Sequence, residues 1–174
     1  SANTTADHNT ALGYEALLVN TTGQNNTAVG SRALDANTTG VSNVAVGYVS
    51  LTSNTTGSRN VGIGANSGAL ATNTTGNNNV AVGADALRDS STASDNTALG
   101  YASQRATTTG TNNVSVGSAS LTGNTTGSNN TAIGRLALDA NTTASNNTAV
   151  GYQALVANTT GTNNTAIGKN TLQV

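Results

Sequence analysis

Short hydrophobic segments recur along the chain at a nearly constant interval. Each segment places Thr or Val, a small residue and an aliphatic residue before a glycine, as in Thr27-Ala28-Val29-Gly30 and Val44-Ala45-Val46-Gly47. Alternate residues of an extended segment face opposite sides, and β-branched residues favour strands, so each segment is predicted to form a short β-strand. A leucine four residues after the glycine, present in nine of ten copies, predicts a second core position.

The glycine that follows each strand defines the period of the repeat. It stands at Gly13, Gly30, Gly47, Gly64, Gly83, Gly100, Gly117, Gly134, Gly151 and Gly168. Successive glycines are 17 residues apart, except for one spacing of 19 between Gly64 and Gly83, where Asn66-Ser67-Gly68 is expected to form a bulged corner. A short fixed period is typical of solenoids. We therefore predict an all-β, parallel β-solenoid of ten coils, one uncapped array over residues 1–174, with two extended segments and two corners per coil.

The two sides of each strand carry different residues. The aliphatic positions, such as Val44 and Val46, are expected to face the inside of the coil. The position between them is alanine except at Gly62 and Ser115, and the alanines are Ala11, Ala28, Ala45, Ala81, Ala98, Ala132, Ala149 and Ala166. A face restricted to such small residues is crowded, so we expect the alanine column to pack against another chain near a three-fold axis.

Asparagine stands four residues before the glycine in every copy. These residues are Asn9, Asn26, Asn43, Asn60, Asn79, Asn96, Asn113, Asn130, Asn147 and Asn164. One interpretation is that each side chain caps local backbone in a turn. The other is an amide ladder, in which each asparagine bonds to its copy in the next coil.

The composition excludes an ordinary globular core but does not indicate disorder. There is no Phe, Trp, Met, Cys or Pro, and 7% of the residues are charged. Disorder usually needs high net charge, whereas the formal net charge here is −1. A net charge this close to zero predicts no nucleic-acid partner. No apolar run approaches the ~18 residues of a membrane span. Because the chain begins at Ser1 without a signal sequence, a processed protein or a segment of a longer one is expected.

The residues needed for catalysis or metal binding are almost absent. His8 is the only histidine, there is no cysteine, and the seven carboxylates are scattered over different copies. Calcium-binding solenoids carry columns of aspartate, and this chain has none. We therefore predict no catalytic, cofactor-binding or metal-binding residue, and a protein that is not an enzyme.

Variable positions of the repeat are expected to face water. They include the charged residues and the one position that holds all four aromatic residues, Tyr14, Tyr48, Tyr101 and Tyr152. A surface column is the simpler interpretation of these tyrosines, and a binding stripe is the alternative. Asn-x-Ser/Thr acceptors stand at Asn3, Asn20, Asn37, Asn54, Asn73, Asn124, Asn141 and Asn158, and again at Asn25, Asn113, Asn129, Asn146 and Asn163. The sequence leaves open whether sites such as Asn20, Asn37 and Asn54 carry glycans or arise from the repeat itself.

The core motif resembles repeats of known fibrous proteins. N-T-A-V-G-Y-x-A-L at residues 147–155, with the variant N-V-A-V-G-Y-V-S-L at residues 43–51, is similar to the head repeats of trimeric autotransporter adhesins. The full unit resembles the N-T-T-G-x-N-N-T-A-V-G-Y-x-A-L arrays of bacteriophage tail-fibre and bacterial surface proteins. The resemblance implies a left-handed β-roll, three chains wound about an axis, and an adhesive fibre. The repeat of this chain has a period of 17 residues, which is longer than the period of the adhesin head.

A structural or adhesive fibre is therefore the expected function. The expected location is extracellular, on a cell surface or in a virion. The expected partners are further copies in a homotrimer, possible head-to-tail neighbours, and a cell-surface or glycan receptor. The alternative is an ice-binding solenoid, which needs two exposed threonine columns spaced T-x-T on one face. Adjacent pairs such as Thr21-Thr22 would point to opposite faces of an extended segment.

Overall fold

The structure is a computed structural model that describes residues 4–65 and 67–173. It is an all-β solenoid with ten strands in one parallel sheet, arranged in chain order. The strands are β1 (Thr10–Leu12), β2 (Thr27–Val29), β3 (Val44–Val46), β4 (Val61–Ile63), β5 (Val80–Val82), β6 (Thr97–Leu99), β7 (Val114–Val116), β8 (Thr131–Ile133), β9 (Thr148–Val150) and β10 (Thr165–Ile167). No helix lies in the described ranges. The predicted parallel β-solenoid is confirmed.

Each strand is in register with the next copy of the repeat. Thr10 pairs with Thr27, and the pairing continues to Thr148 and Thr165 at the other end. The longer repeat is accommodated between β4 and β5, where Val61 pairs with Val80. Ser67 and Gly68 lie in that connection, and Asn66 lies outside the described residues. Within the described residues only one segment of each repeat forms a strand, so the expected second extended segment is wrong.

The orientation of the strands is opposite to the expected one. The middle residue points into the coil, so Ala45 and Ala98 have no exposed surface, whereas Leu99 is 37% exposed. A Cβ added to Gly62 in this column would lie 2.8 Å from Ser50 Oγ and 3.1 Å from the Ala69 carbonyl oxygen. The small residues are therefore required by a narrow interior that a single chain already fills. The expectation that this column packs on another chain is contradicted.

The leucine column forms the other side of this interior, as predicted. Leu34, Leu51 and Leu87 are fully buried, and each has a positive φ, between 48° and 55°. A left-handed conformation costs an L-residue about 1–2 kcal/mol. Burial of a leucine side chain contributes about 1.5–3 kcal/mol, so the core contact offsets the cost of the turn.

The glycine after each strand is required by both conformation and space. At Gly30, φ is +133°, which side chains other than hydrogen rarely allow. An added Cβ at Gly30 would also lie 2.5 Å from the carbonyl oxygen of Gly47 in the next coil. Glycine therefore recurs at this position of every repeat because the backbones of successive corners are in close contact there.

The asparagine column before the strands forms a buried ladder. The backbone N–H of Asn26 donates to Asn9 Oδ1 at 2.9 Å, and Asn26 Nδ2 donates to the Gly40 carbonyl at 2.9 Å. The same N–H to Oδ1 bond recurs at every step up to Asn164. Each side chain thus bonds to two backbone groups in the next coil. The ladder interpretation of this column is confirmed.

A second asparagine column follows the leucines and forms a second ladder. Asn37 Nδ2 donates to Asn20 Oδ1 at 2.8 Å and to the Gly40 carbonyl at 3.1 Å. The column is interrupted at Ser90 and Thr107, and Asn73 Oδ1 and Ser90 Oγ are buried without a partner. The second ladder therefore has a gap in the middle of the array.

The hydrophobic core is interrupted near the same place. Gln104 replaces the leucine, is fully buried, and donates from Nε2 to Asn96 Oδ1 at 2.9 Å. One apolar cluster extends to Ala98, and a second begins at Leu121. Ser115 and Ser120 fill part of the interval, with hydroxyl oxygens 2.6 Å apart. The solenoid therefore has two apolar cores joined by a polar layer.

Removal of one ladder amide should destabilise the fold. Asn43→Ala leaves the buried N–H of Asn60 without its acceptor. An unsatisfied buried group costs about 1–3 kcal/mol. The control, Thr39→Ala, removes an exposed side chain and should change the free energy of unfolding by less than about 0.5 kcal/mol. Denaturant unfolding of both variants tests this, and equal stability of the two would contradict the ladder's role.

Repair of the second ladder should have the opposite effect. Ser90→Asn places an amide beside Asn73 Oδ1, which has no partner in the native chain. One added hydrogen bond contributes about 0.5–1.5 kcal/mol, so the melting temperature should rise. Calorimetry tests the variant against the native chain, and a lower melting temperature would show that the gap is not a missing rung.

Candidate interaction faces

The outward residues of the ten strands form a continuous uncharged surface, which we call the strand face. Its first column holds Thr10, Thr27, Val44, Val61, Val80, Thr97, Val114, Thr131, Thr148 and Thr165. Its second column holds Leu12, Val29, Val46, Ile63, Val82, Leu99, Val116, Ile133, Val150 and Ile167. Both columns were expected inside the coil and lie outside it. Away from the ends, the isoleucines, the leucine and Val82 of the second column are 36–40% exposed, and its other valines are half-buried.

The strand face has a regular geometry. Because all ten strands are parallel and in register, equivalent side chains follow one another at about 4.8 Å along the array. Large exposed apolar patches on soluble proteins commonly mark interaction sites. The strand face is therefore the main candidate for contact with another molecule.

A second regular surface lies in the segment that precedes each strand. Thr21 Oγ1 donates to the Thr38 carbonyl at 2.9 Å, whereas Thr22 is exposed, so adjacent threonines do diverge as expected. The exposed threonine and the residue two positions later nevertheless flank a buried glycine or alanine, as the exposed Thr126 and the half-buried Ser128 flank Gly127. We call these two columns the hydroxyl face, and it comprises Thr22, Thr39, Thr56, Thr75, Thr92, Thr109, Thr126, Thr143 and Thr160 with Gln24, Val41, Ser58, Asn77, Ser94, Thr111, Ser128, Ser145 and Thr162.

The tyrosine column lies beyond the glycine corner. Tyr14, Tyr48, Tyr101 and Tyr152 are between 38% and 70% exposed, which confirms the expected surface position. The guanidinium of Arg135 lies 5.8 Å from the centre of the Tyr152 ring. A hydrogen bond to Glu15 and its charge raise the pKa of Tyr14. These rings provide separate aromatic contacts rather than one continuous patch.

Some charged residues face water as predicted, but Asp85 and Arg105 are half-buried, and Asp35 is buried. Its side chain is 10% exposed, accepts a bond from Arg32 Nε at 3.0 Å, and accepts another from Thr52 Oγ1 at 2.6 Å. The hydrogen bond to Asp35 and its charge raise the pKa of Arg32. Asp35 therefore ties neighbouring coils together instead of serving as a free acid.

The glycosylation acceptors fall into two structural groups. Asn20, Asn37 and Asn54 are buried in the second ladder, so a glycan on any of them is incompatible with these hydrogen bonds. The acceptors that remain exposed are Asn25, Asn129, Asn146 and Asn163. Asn3 lies outside the described residues. The sequence could not separate the groups, because both have the same acceptor motif.

Among the described residues, the polar side chains lie along repeated surfaces and do not converge on one site. No three His, Cys, Asp or Glu residues come together there in a group that could hold a metal ion. His8, the single histidine, is exposed. The described segments also hold no helix long and apolar enough to cross a membrane. The absence of enzymatic activity remains a prediction.

Comparisons with known proteins do not extend this picture. No protein-family model, no curated protein and no solved structure matches the chain. The strand face, the hydroxyl face and the tyrosine column are therefore the features from which a function can be argued.

Proposed function

We propose that the chain is a segment of an adhesive structural fibre, located outside the cell, on a cell surface or in a virion. In this proposal three chains, each a left-handed roll with 17-residue coils, wind about a common axis. The repeat and its resemblance to fibre and adhesin arrays support the role. The observation that carries the proposal is the uncovered, uncharged strand face, which extends along the whole array.

A second copy of the same chain is the occupant that this face fits best. Its two columns repeat at about 4.8 Å per coil, and a rod of the same period can match every rung. None of the strand threonines donates or accepts a side-chain hydrogen bond among the described residues, so the face makes no competing polar contacts. A charged or irregular partner would leave much of the face uncovered.

The difference between the two columns favours a closed ring of three. One column mixes threonine with valine, and the other is entirely aliphatic, so the face is not symmetric about its own midline. A contact of the first column on one chain with the second column on the next is heterologous, and such contacts form a ring when the rotation between chains closes. The three-fold axis proposed here runs beside the strand face and not beside the alanine column.

The adhesive part of the proposal uses the surfaces that the trimer leaves outward. The exposed tyrosines provide flat apolar rings with a polar tip, which suit a glycan or protein receptor on another cell. The formal net charge of −1 gives little long-range attraction to nucleic acid or anionic membranes. The fibre would then act by presenting many equivalent contacts along its length.

Assembly can be tested by placing a charge in the middle of the strand face. Val46→Lys would bury an unpaired ammonium group at the contact, so the native trimer should dissociate or weaken strongly. Thr39→Lys adds the same charge to the hydroxyl face and should leave the assembly unchanged. Light scattering after size exclusion gives the mass, and circular dichroism confirms that each variant keeps its β structure.

Two results would contradict the trimer. The first is a native chain that stays monomeric over the accessible concentration range. The second is a Val46→Lys variant that keeps the trimeric mass with a native spectrum.

A further inference from the structure

The hydroxyl face becomes a two-column array of hydroxyl groups in the second half of the chain. In five consecutive coils the exposed threonine is followed two positions later by serine or threonine. The pairs are Thr92 and Ser94, Thr109 and Thr111, Thr126 and Ser128, Thr143 and Ser145, and Thr160 and Thr162. This is the T-x-T type of spacing that adjacent threonines cannot provide.

The first column of this array is free to bind. Thr109, Thr126 and Thr143 are exposed, and their hydroxyl groups have no hydrogen-bond partner among the described residues. The backbone N–H groups of Thr109 and Thr126 donate to carbonyls of the next coil, the second to the Thr142 carbonyl at 3.3 Å. The hydroxyl groups are therefore presented outward from a fixed backbone.

Three of the five residues of the second column are held in a fixed orientation. The N–H of Asn77 donates to Ser94 Oγ at 3.0 Å, and the N–H of Ser128 donates to Ser145 Oγ at 3.0 Å. The same bond joins Thr111 N–H to Ser128 Oγ at 3.0 Å. Because each of these oxygens accepts from the neighbouring coil, its own proton remains available for a donor bond. The array is preorganised, so little rotamer entropy is lost when a ligand binds.

The spacing and chemistry restrict the ligand. Successive rungs are about 4.8 Å apart, and neither column of the five-coil array contains a charged or aromatic side chain. A complementary ligand must be periodic, uncharged and able to form hydrogen bonds over several rungs. The surface of ice has these properties, and its oxygen atoms repeat at a distance close to the rung spacing. An extended glycan fits less well, because this face lacks aromatic rings for sugars to stack on.

We infer that the hydroxyl face from Thr92 to Thr162 is an ice-binding surface. This function goes beyond the proposed fibre and does not depend on it. Water molecules held by two fixed columns of hydroxyl groups would take up the spacing of the array and join the growing lattice. The first half of the chain lacks this property, because Gln24, Val41 and Asn77 interrupt the second column.

The test compares the same substitution inside and outside the array. Thr126→Lys introduces a bulky charge at the centre of the five hydroxyl pairs. Thr39→Lys introduces it at the equivalent exposed position of a coil whose second residue is Val41. Thermal hysteresis and the fraction of protein retained in a slowly grown ice hemisphere are measured for both variants and for the native chain. We expect the native chain and Thr39→Lys to be active and Thr126→Lys to lose most of the activity.

Several outcomes would overturn the inference. Absence of hysteresis and of ice retention in the native chain at millimolar concentration would do so. An equal loss in both variants would also overturn it, and so would full activity of Thr126→Lys. Binding to soluble glycans without ice retention would assign the face to another ligand. The mass of each sample, measured in parallel, separates these results from a failure of the trimer.

Discussion

The structure depends on side-chain amides that connect one coil to the next inside the solenoid. Each strand is only three residues long, so its ladder of backbone hydrogen bonds is short. The asparagine columns extend this ladder beyond the strand, since Asn43 Oδ1 accepts from the Asn60 N–H and Asn43 Nδ2 bonds to the Gly57 carbonyl. These groups are buried, where an unpaired amide would be costly. The ladders therefore impose register on corners that have no regular secondary structure.

The narrow interior determines the rest of the repeat. Alanine on the strand meets leucine on the turn, and the leucines take left-handed conformations to reach the core, as at Leu51. Opposite these leucines the strand has no room for side chains larger than those of alanine and serine, so its larger side chains are directed outward to the strand face. An exposed apolar face is thus a consequence of a thin core. The regular surfaces of the molecule are copies of one coil, repeated at the spacing set by the ladders.

Much of this architecture could be predicted from the glycine period. Repetition at 17 residues implied parallel stacking in register, and the nearly invariant leucine implied a core column. Alternation alone could not predict which side of each strand faces the interior. In Thr-Ala-Val, either the middle residue or the two outer residues can point inward. The better signal was the restriction of the middle strand position to alanine, Gly62 and Ser115. Such a restriction indicates crowding, but crowding inside one chain and crowding at an interface produce the same pattern. The hydroxyl face was missed because adjacent threonines were treated as an extended segment, and the residue beyond the following glycine or alanine was not considered with them.

Hydrogen exchange of individual asparagine side chains tests the central role of the ladders most directly. Nuclear magnetic resonance can follow the Nδ2 protons of Asn43 and Asn113, which are fully buried, beside those of Asn129, which is exposed. The Asn43 and Asn113 protons should exchange as slowly as the backbone amides of the strands, because both open only when coils separate. Exchange as fast as that of Asn129 would show that the amides are not held between coils, and would contradict this account of the fold.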